Sequence, residues 1–234
     1  MRNFGPRFVS LILAAGLLAA CSSEKTESVS IGKLLVSTVK NAAQARKAGP
    51  VERVVVSSED FAKIKVPLIQ VNPISLGGSD FLQRAAVRHD SRSGSVEIWK
   101  SSDNAQIFLR NGVVVGTRGI GRDIIAADAK MTVNAVRSRK GQSGIRTFTV
   151  SDGDVTSSDL RYRCEIRNLG AESISVANQS IGATHLQERC STAAGATAEI
   201  QNDFWIQGST GLVRKSRQWM GPAAGYFEIL LLKN

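Results

Sequence analysis

The stretch Gln106-Ile107-Phe108-Leu109-Arg110-Asn111-Gly112-Val113-Val114-Val115 decides the fold class. Asn-Gly tolerates positive φ at both central positions of a type I′ turn, and the twist of that turn matches the right-handed twist of antiparallel strands. Flanked by apolar and β-branched residues, the run predicts a tight hairpin. Working outward, Phe81 to Arg88, Gly94 to Lys100 and Ala105 to Arg110 read as strands on the N-terminal side. Ile145 to Val150, Leu160 to Arg167, Ile174 to Asn178, Thr184 to Arg189, Ala198 to Trp205, Gly211 to Trp219 and Tyr226 to Leu232 follow on the other side. Val54-Val55-Val56 and Ile64 to Val71 also read as strands, Pro67 marking an edge or a bulge, and Asp123 to Lys130 as a short helix. Short strands at this spacing without a βαβ rhythm predict an all-β domain over residues 51–234, an antiparallel barrel or sandwich.

The N-terminus carries a different signal. Arg2 and Arg7 precede an uncharged, almost wholly apolar run from Phe8 to Ala20. Such a run suits a signal-peptide core and is too short to span a bilayer as a helix. It ends in Leu18-Ala19-Ala20-Cys21, which resembles the bacterial lipobox: small residues fit a peptidase cleft and the thiol accepts a diacylglycerol. Residues 1–20 are therefore expected to be a lipoprotein signal peptide and Cys21 the lipidated residue, the rival being an ordinary signal peptide cleaved after Ala20. Several tens of buried methylenes at about 0.8 kcal/mol each would make the anchor in the membrane permanent. Ser22, where aspartate would retain a lipoprotein at the inner membrane, points to the periplasmic side of the outer membrane in a two-membrane host. Residues 21–30 read as a polar tether. Over residues 31–49, Ile31, Leu34, Leu35, Val39, Ala42 and Ala43 share one helical face before Gly49-Pro50 stops it, giving an amphipathic helix for the domain body or the membrane surface.

Cys164 and Cys190 are the remaining cysteines, an even pair in an oxidising compartment, and are expected to form a disulfide. Closing the loop between them would stabilise the fold by about 3.5 kcal/mol in the chain-entropy model. Zinc is the weaker reading, since neither cysteine has a C-x-x-C partner and His89 and His185 are the chain's histidines. The net charge is +10, and +8 once Arg2 and Arg7 leave with the signal peptide. That charge can serve solubility, anionic lipid headgroups or an anionic polysaccharide. Nucleic acid is not an expected partner, because no basic motif is interleaved with aromatics and the compartment is extracytoplasmic.

Several local runs, in this order, resemble one family. Val96-Glu97-Ile98-Trp99 precedes Ser102-Asp103, then come Leu109-Arg110-Asn111-Gly112-Val113-Val114 and Thr117-Arg118-Gly119-Ile120-Gly121-Arg122-Asp123. Near the C-terminus stand Phe204-Trp205, Gly211-Leu212-Val213, Ser216-Arg217-Gln218-Trp219 and Gly221-Pro222, with Tyr162, Cys164, Glu188 and Cys190 between. These resemble the group 4 capsule polysaccharide, or YjbF-type, lipoproteins. The resemblance implies an all-β lipoprotein that acts in producing or exporting an extracellular or capsular polysaccharide, beside other envelope proteins of the export system. It carries over no catalytic residues.

The residues themselves offer little chemistry. Gly119-Ile120-Gly121 lacks the third glycine and the βαβ setting of a dinucleotide loop. It reads as a sharp turn in which Arg118, Arg122 and Asp123 form a charge network, or as an arginine-lined patch for an anionic ligand or partner. Ser37-x-x-Lys40 and Ser102-Asp103-Asn104 match two serine-hydrolase fragments, but no Lys-Thr-Gly follows. His89-Asp90 could be half a triad, yet Asp90-Ser91-Arg92-Ser93-Gly94 reads as a polar turn. Trp99, Trp205 and Trp219 suit either a core or a sugar-binding groove, and Arg214, Lys215 and Arg217 beside Trp219 would suit an acidic glycan. Arg137, Arg139 and Lys140 read as a solvated loop. No pattern calls for a metal or a cofactor. The expected candidate surface is Arg118, Arg122, Asp123, Trp99, Arg217 and Trp219, on a non-catalytic accessory factor. The rivals are a general envelope scaffold and a polysaccharide-modifying enzyme using a carboxylate pair drawn from Asp80, Glu97, Asp103 and Asp123.

Overall fold

The computed structural model describes residues 52–153, 155–192 and 199–234. The expected signal peptide, Cys21, the tether and the helix over 31–49 lie outside the described residues. Among the described residues, twelve strands form one antiparallel sheet in the order β5-β4-β3-β2-β1-β12-β11-β10-β9-β8-β7-β6. The strands are β1 (Leu68–Pro73), β2 (Asp80–Arg88), β3 (Val96–Lys100), β4 (Gln106–Arg110), β5 (Val113–Arg118), β6 (Ile124–Asp128), β7 (Gln142–Ser151), β8 (Ser157–Val176), β9 (Gln179–Ser191), β10 (Ile200–Gln207), β11 (Val213–Trp219) and β12 (Tyr226–Lys233). The sheet rolls into a nearly closed barrel, in which the first strand lies beside the last and the two edges, β5 and β6, are joined by a short turn.

The Asn111-Gly112 hairpin is a two-residue turn, with Arg110 opposite Val113 and both turn residues at positive φ. Ala177-Asn178 makes the corresponding turn between β8 and β9, at φ 50° and 61°, without a glycine. Sequence alternation predicts two strands where β8 runs unbroken over 20 residues. Asn168-Leu169-Gly170 reads as a break, but Gly170 at φ 100° lets the chain bulge and continue along β9.

Three other expectations are corrected. Val54-Val55-Val56 is not a strand: Val54 is held through its N–H by Ser79 Oγ (2.9 Å) and through its carbonyl by Gln70 Nε2 (2.7 Å). Ser57 then caps a helix, α1 (Ser58–Lys63), by accepting from Asp60 N, which fits the S-x-x-D pattern of a capping box. Asp123 to Lys130 is not a helix but contains β6, because pairing with β7 outweighs the helix propensity of its alanines. Of the expected loop of Arg137, Arg139 and Lys140, Arg137 lies instead in the last turn of a second helix, α2 (Lys130–Ser138), near the negative end of its dipole, while Arg139 is its left-handed C-cap and Lys140 follows in the connection to β7.

Helix α2 fills part of the barrel. Its Val133, Ala135 and Val136 pack with Val113 of β5 and with Ile166, Leu186, Phe204 and Ile206 from the inner faces of β8, β9 and β10. A larger core around Trp99, Ile107, Phe148 and Met220 fills the remainder. Outside the barrel, Ile174, Val176 and Ile181 at the end of the β8–β9 hairpin pack on Val56, Ile64 and Leu232, with Phe61 and Leu230 at the margin.

Candidate functional site

The motif residues meet where the barrel closes. β5 is an edge strand, so the N–H and carbonyl of Val114 that point away from β4 have no ladder partner. Gln218, on the inner face of β11, supplies one: its Oε1 accepts from Val114 N at 2.9 Å, and its Nε2 donates to Gly112 O at 2.8 Å and to Ser216 Oγ at 2.9 Å. Arg146 Nη2 of β7 donates to Val114 O at 3.0 Å. Side chains therefore do what backbone pairing does elsewhere, and an unpaired buried backbone group would cost about 1–3 kcal/mol. Gly112 must be glycine at this crossing, since a Cβ there would lie 2.6 Å from Val213.

The Thr117–Asp123 run turns the corner between β5 and β6. Asp123 accepts from Thr117 Oγ1 (3.0 Å), Gly119 N (2.7 Å) and Ile120 N (3.2 Å), while Thr117 Oγ1 accepts from Ile124 N (2.9 Å). Asp123 thus serves the backbone, and the expected charge network with the arginines is replaced. Arg122 pairs with Asp152 and donates to Ser151 O, and Arg118 points into solvent. The turn packs on Gly221, where a Cβ would sit 2.8 Å from Arg122 O.

Behind the closure lies a buried ion pair. Arg146 and Glu188 are 2% and 0% exposed and bonded to each other. Glu188 also accepts from Thr132 Oγ1 of α2 at 2.5 Å and from Asn202 Nδ2 of β10 at 2.6 Å. Asn202 Oδ1 in turn accepts from Trp219 N at 2.8 Å. The Arg146 guanidinium lies 4.7 Å from the Phe148 ring centroid. The sequence hinted at this pair. Arg146 is in phase with the inward Phe148 and Val150, and Glu188 with the inward Leu186 and Cys190. A charge on an apolar register is the mark of a buried pair.

Cys164 and Cys190 are paired residues of β8 and β9, 4.0 Å apart at Cα, and are joined by a disulfide. Glu188 lies close to both sulfurs. The thiols are consumed by the bond and the carboxylate by its three donors, so this cluster is not an open ligand set.

The candidate surface of the sequence reading does not assemble as one surface. Trp99 is wholly buried, with its Nε1 donating to Glu97 Oε2 at 3.2 Å. Trp219 is half-buried and meets Phe148 edge-on at 5.0 Å. Arg217 lies on the opposite face from Gln218, 3.9 Å above the Tyr226 ring, donating to Gln201 O. His89 is exposed and Asp90 pairs with Arg110 at 2.5 Å, which breaks up the half-triad reading. The Arg110 hydrogen bonds, with Arg92 N, hold the Asp90 carboxyl down at about 2. The carboxylates near the hairpins are separately engaged. Glu97 accepts from Arg84 and Trp99, Asp103 from Ser101, and Asp80 from Phe81 N. Burial pushes Asp80 upward despite that bond, with the charge of Asp103 adding to it.

Two features outside the sequence reading remain. One is a cavity of about 220 Å³ at the barrel mouth, lined by Glu97, Trp99, Leu109, Val213, Ser216 and Leu231 among others. It is smaller than the ~300–1,000 Å³ of typical drug-sized ligand sites. The other is a polar cluster on the outer wall. His185 meets Glu172 through Nδ1 (3.1 Å) and Asp203 through Nε2 (3.0 Å) and stacks on Trp205 at 4.5 Å. Trp205 Nε1 also donates to Glu172 at 2.7 Å. This cluster ties the base of the β8–β9 arm to β10.

A family model described as "Group 4 capsule polysaccharide lipoprotein gfcB, YjbF" matches residues 36–232. The chain is 25% identical over 147 residues to the "Uncharacterized lipoprotein GfcB" of Escherichia coli (strain K12). That match covers 58% of this chain and 64% of the relative, so the chain spans under two thirds of its relative's length. In three dimensions it is similar to the crystal structure of the hypothetical lipoprotein YmcC from Escherichia coli (K12), with a TM-score of 0.63 and 20% identity over 77% of this chain and 90% of that one. At that identity the likeness shows the fold.

Proposed function

Because the chain belongs to the group 4 capsule polysaccharide (YjbF) lipoprotein family, we propose that it is a lipid-anchored, non-catalytic accessory factor in the production or export of an extracellular or capsular polysaccharide. In this reading Cys21 holds it at the periplasmic side of the outer membrane, and the β domain contacts the polymer or neighbouring export proteins. The observation that carries the reading is the family match over nearly the whole chain after the signal-peptide-like run. The net charge of +8 that remains without Arg2 and Arg7 favours an anionic polymer. The spent carboxylates and the buried motif residues suit a scaffold or binding role better than turnover.

The test is deletion of the gene in its host, with secreted and cell-bound polysaccharide measured after complementation by the wild type and by Cys21→Ala. Polymer should fall on deletion and return with the wild type alone. Unchanged polymer would make the protein a general envelope scaffold, and full rescue by Cys21→Ala would remove the anchor from the role.

A further inference from the structure

We infer that the outer face of the β8–β9 pair is a docking surface for an acidic polysaccharide, read by Arg161, Arg163 and Arg189. The inference rests on the accessory role proposed above and names where the polymer is held. On β8 the residues Arg161, Arg163, Glu165 and Arg167 alternate with the buried Tyr162, Cys164 and Ile166, so they share the outward face. On β9 Arg189 points outward between the buried Glu188 and Cys190. Glu165 is opposite Arg189 but is claimed by Arg167 through two hydrogen bonds of 2.8 and 3.0 Å. Asp159, further along β8, is engaged by Thr149 at 2.7 Å. Arg161, Arg163 and Arg189 are all exposed and have no hydrogen-bond or ion-pair partner among the described residues, although Glu165, held first by Arg167, also feels the charge of Arg189. Several other cations are engaged, Arg122 by Asp152, Lys215 by Glu228, and Arg217 by Tyr226 and Gln201, whereas the exposed Arg118, Lys65, Lys100 and Lys130 do not share this face.

Spacing and rigidity make the three arginines more than scattered charge. Residues two apart on a strand lie about 7 Å apart. Arg163 is opposite Ser191, which puts Arg189 on its cross-strand diagonal at about 7–8 Å. Guanidinium forks at that spacing suit successive carboxylate, sulfate or phosphate groups of one extended chain, each bound in bidentate fashion. The strands beneath cannot splay, because the Cys164–Cys190 disulfide joins them directly behind Arg163 and Arg189. The backbone then needs no ordering on binding, and the arginine side chains alone lose freedom. Thr147 of β7, opposite Arg161, adds a hydroxyl that can hydrogen-bond a sugar, while Gln187 of β9 and Gln201 of β10 donate their amides to the Asp203 carboxylate and so hold that acid away from the arginines. A membrane surface, the other anionic partner in the envelope, is met by basic residues set beside an inserted apolar face, whereas the outward neighbours of these arginines, Glu165 and Thr147, are polar.

The test uses the full-length lipoprotein in neutral detergent, with polygalacturonate as the acidic polymer, dextran as the neutral one, and phosphatidylglycerol–phosphatidylcholine vesicles as the membrane. The variant Arg161→Ser/Arg163→Ser/Arg189→Ser is compared with the charge-matched Lys65→Ser/Lys100→Ser/Lys130→Ser, and equal thermal midpoints establish that both are folded. Polygalacturonate binding should weaken about tenfold or more in the arginine variant and less than about twofold in the lysine variant, with no binding to dextran. Arg163→Lys, which keeps the charge and loses the fork, should fall between them. Equal losses in both triple variants, no binding by the wild type, or binding to vesicles in place of polygalacturonate would each overturn the inference. A polymer defect on gene deletion alongside any of those results would leave the accessory role standing and remove this face from it.

Discussion

Two hairpins of this barrel are held in place by opposite means. The β4–β5 hairpin comes to rest inside, against β11, and is fixed by polar groups: Gln218 on Gly112 and Val114, Arg146 on Val114, and Asp123 on the following turn. The outer half of the β8–β9 hairpin extends beyond the end of β7, which pairs no further than Ile166, and is held by apolar contacts of Ile174, Val176 and Ile181 with Ile64 and Leu232. Hydrogen bonds fix register, because a slip by one residue leaves buried donors orphaned. Apolar contact tolerates exchange of one aliphatic side chain for another. The family-like runs accordingly crowd around the first hairpin, whereas the arm carries no run of that kind.

The largest expected effect breaks the polar side of this contrast. Arg146→Met or Glu188→Gln alone should destabilise the protein by about 3–5 kcal/mol in denaturant unfolding, because each strands a buried charge. The double variant Arg146→Met/Glu188→Leu should recover much of that loss. A double variant as unstable as the singles would mean that the pair does more than neutralise itself. Ile181→Ala comes next, at about 2–4 kcal/mol. Its loss should appear in hydrogen exchange as opening of the arm while the β1–β4 amides stay protected, and uniform deprotection would erase the distinction between the hairpins. Gln218→Leu should cost about 1–3 kcal/mol through the orphaned Val114 N–H and Gly112 carbonyl.

The smallest effect is electrostatic. With its carboxyl held at about 2 against an ordinary 3.8, Asp90 contributes stability that is present above about pH 4 and is lost as pH falls through about 2. A carboxyl titration by NMR should find Asp90 still ionised at pH 3 in the wild type and returned toward 3.8 in Arg110→Met. An unshifted wild-type Asp90 would remove the Arg110 pair from solution.

The sequence made the closing hairpin legible because Asn111-Gly112 is a local signal that tertiary contacts only reinforce. Alternation likewise revealed most strands, and the even pair Cys164 and Cys190 pointed to the partners that the structure joins. It misled where a tertiary partner outweighed local preference, as in β6, whose alanines read as helix, and in Val54 to Val56, whose backbone is taken by Ser79 and Gln70. The candidate surface was the least legible part. In sequence Trp99 suits a core or a groove and Asp123 a turn or a patch, and the fold settles both by using them inside or against backbone, as it does Gln218, which no local signal marks out. Exposed arginines on alternating strands carry no local motif, and only the register reveals that Arg161, Arg163 and Arg189 share a face.

Side chains, rather than a backbone ladder, close the barrel at β5. The Val114 amide reports on it directly through its hydrogen-exchange rate. It should exchange slowly in the wild type, in keeping with its bond to Gln218, and become fast in Gln218→Leu while the neighbouring amides of β4 remain protected. Fast exchange at Val114 in the wild type, or a slow rate unchanged by Gln218→Leu, would contradict the account.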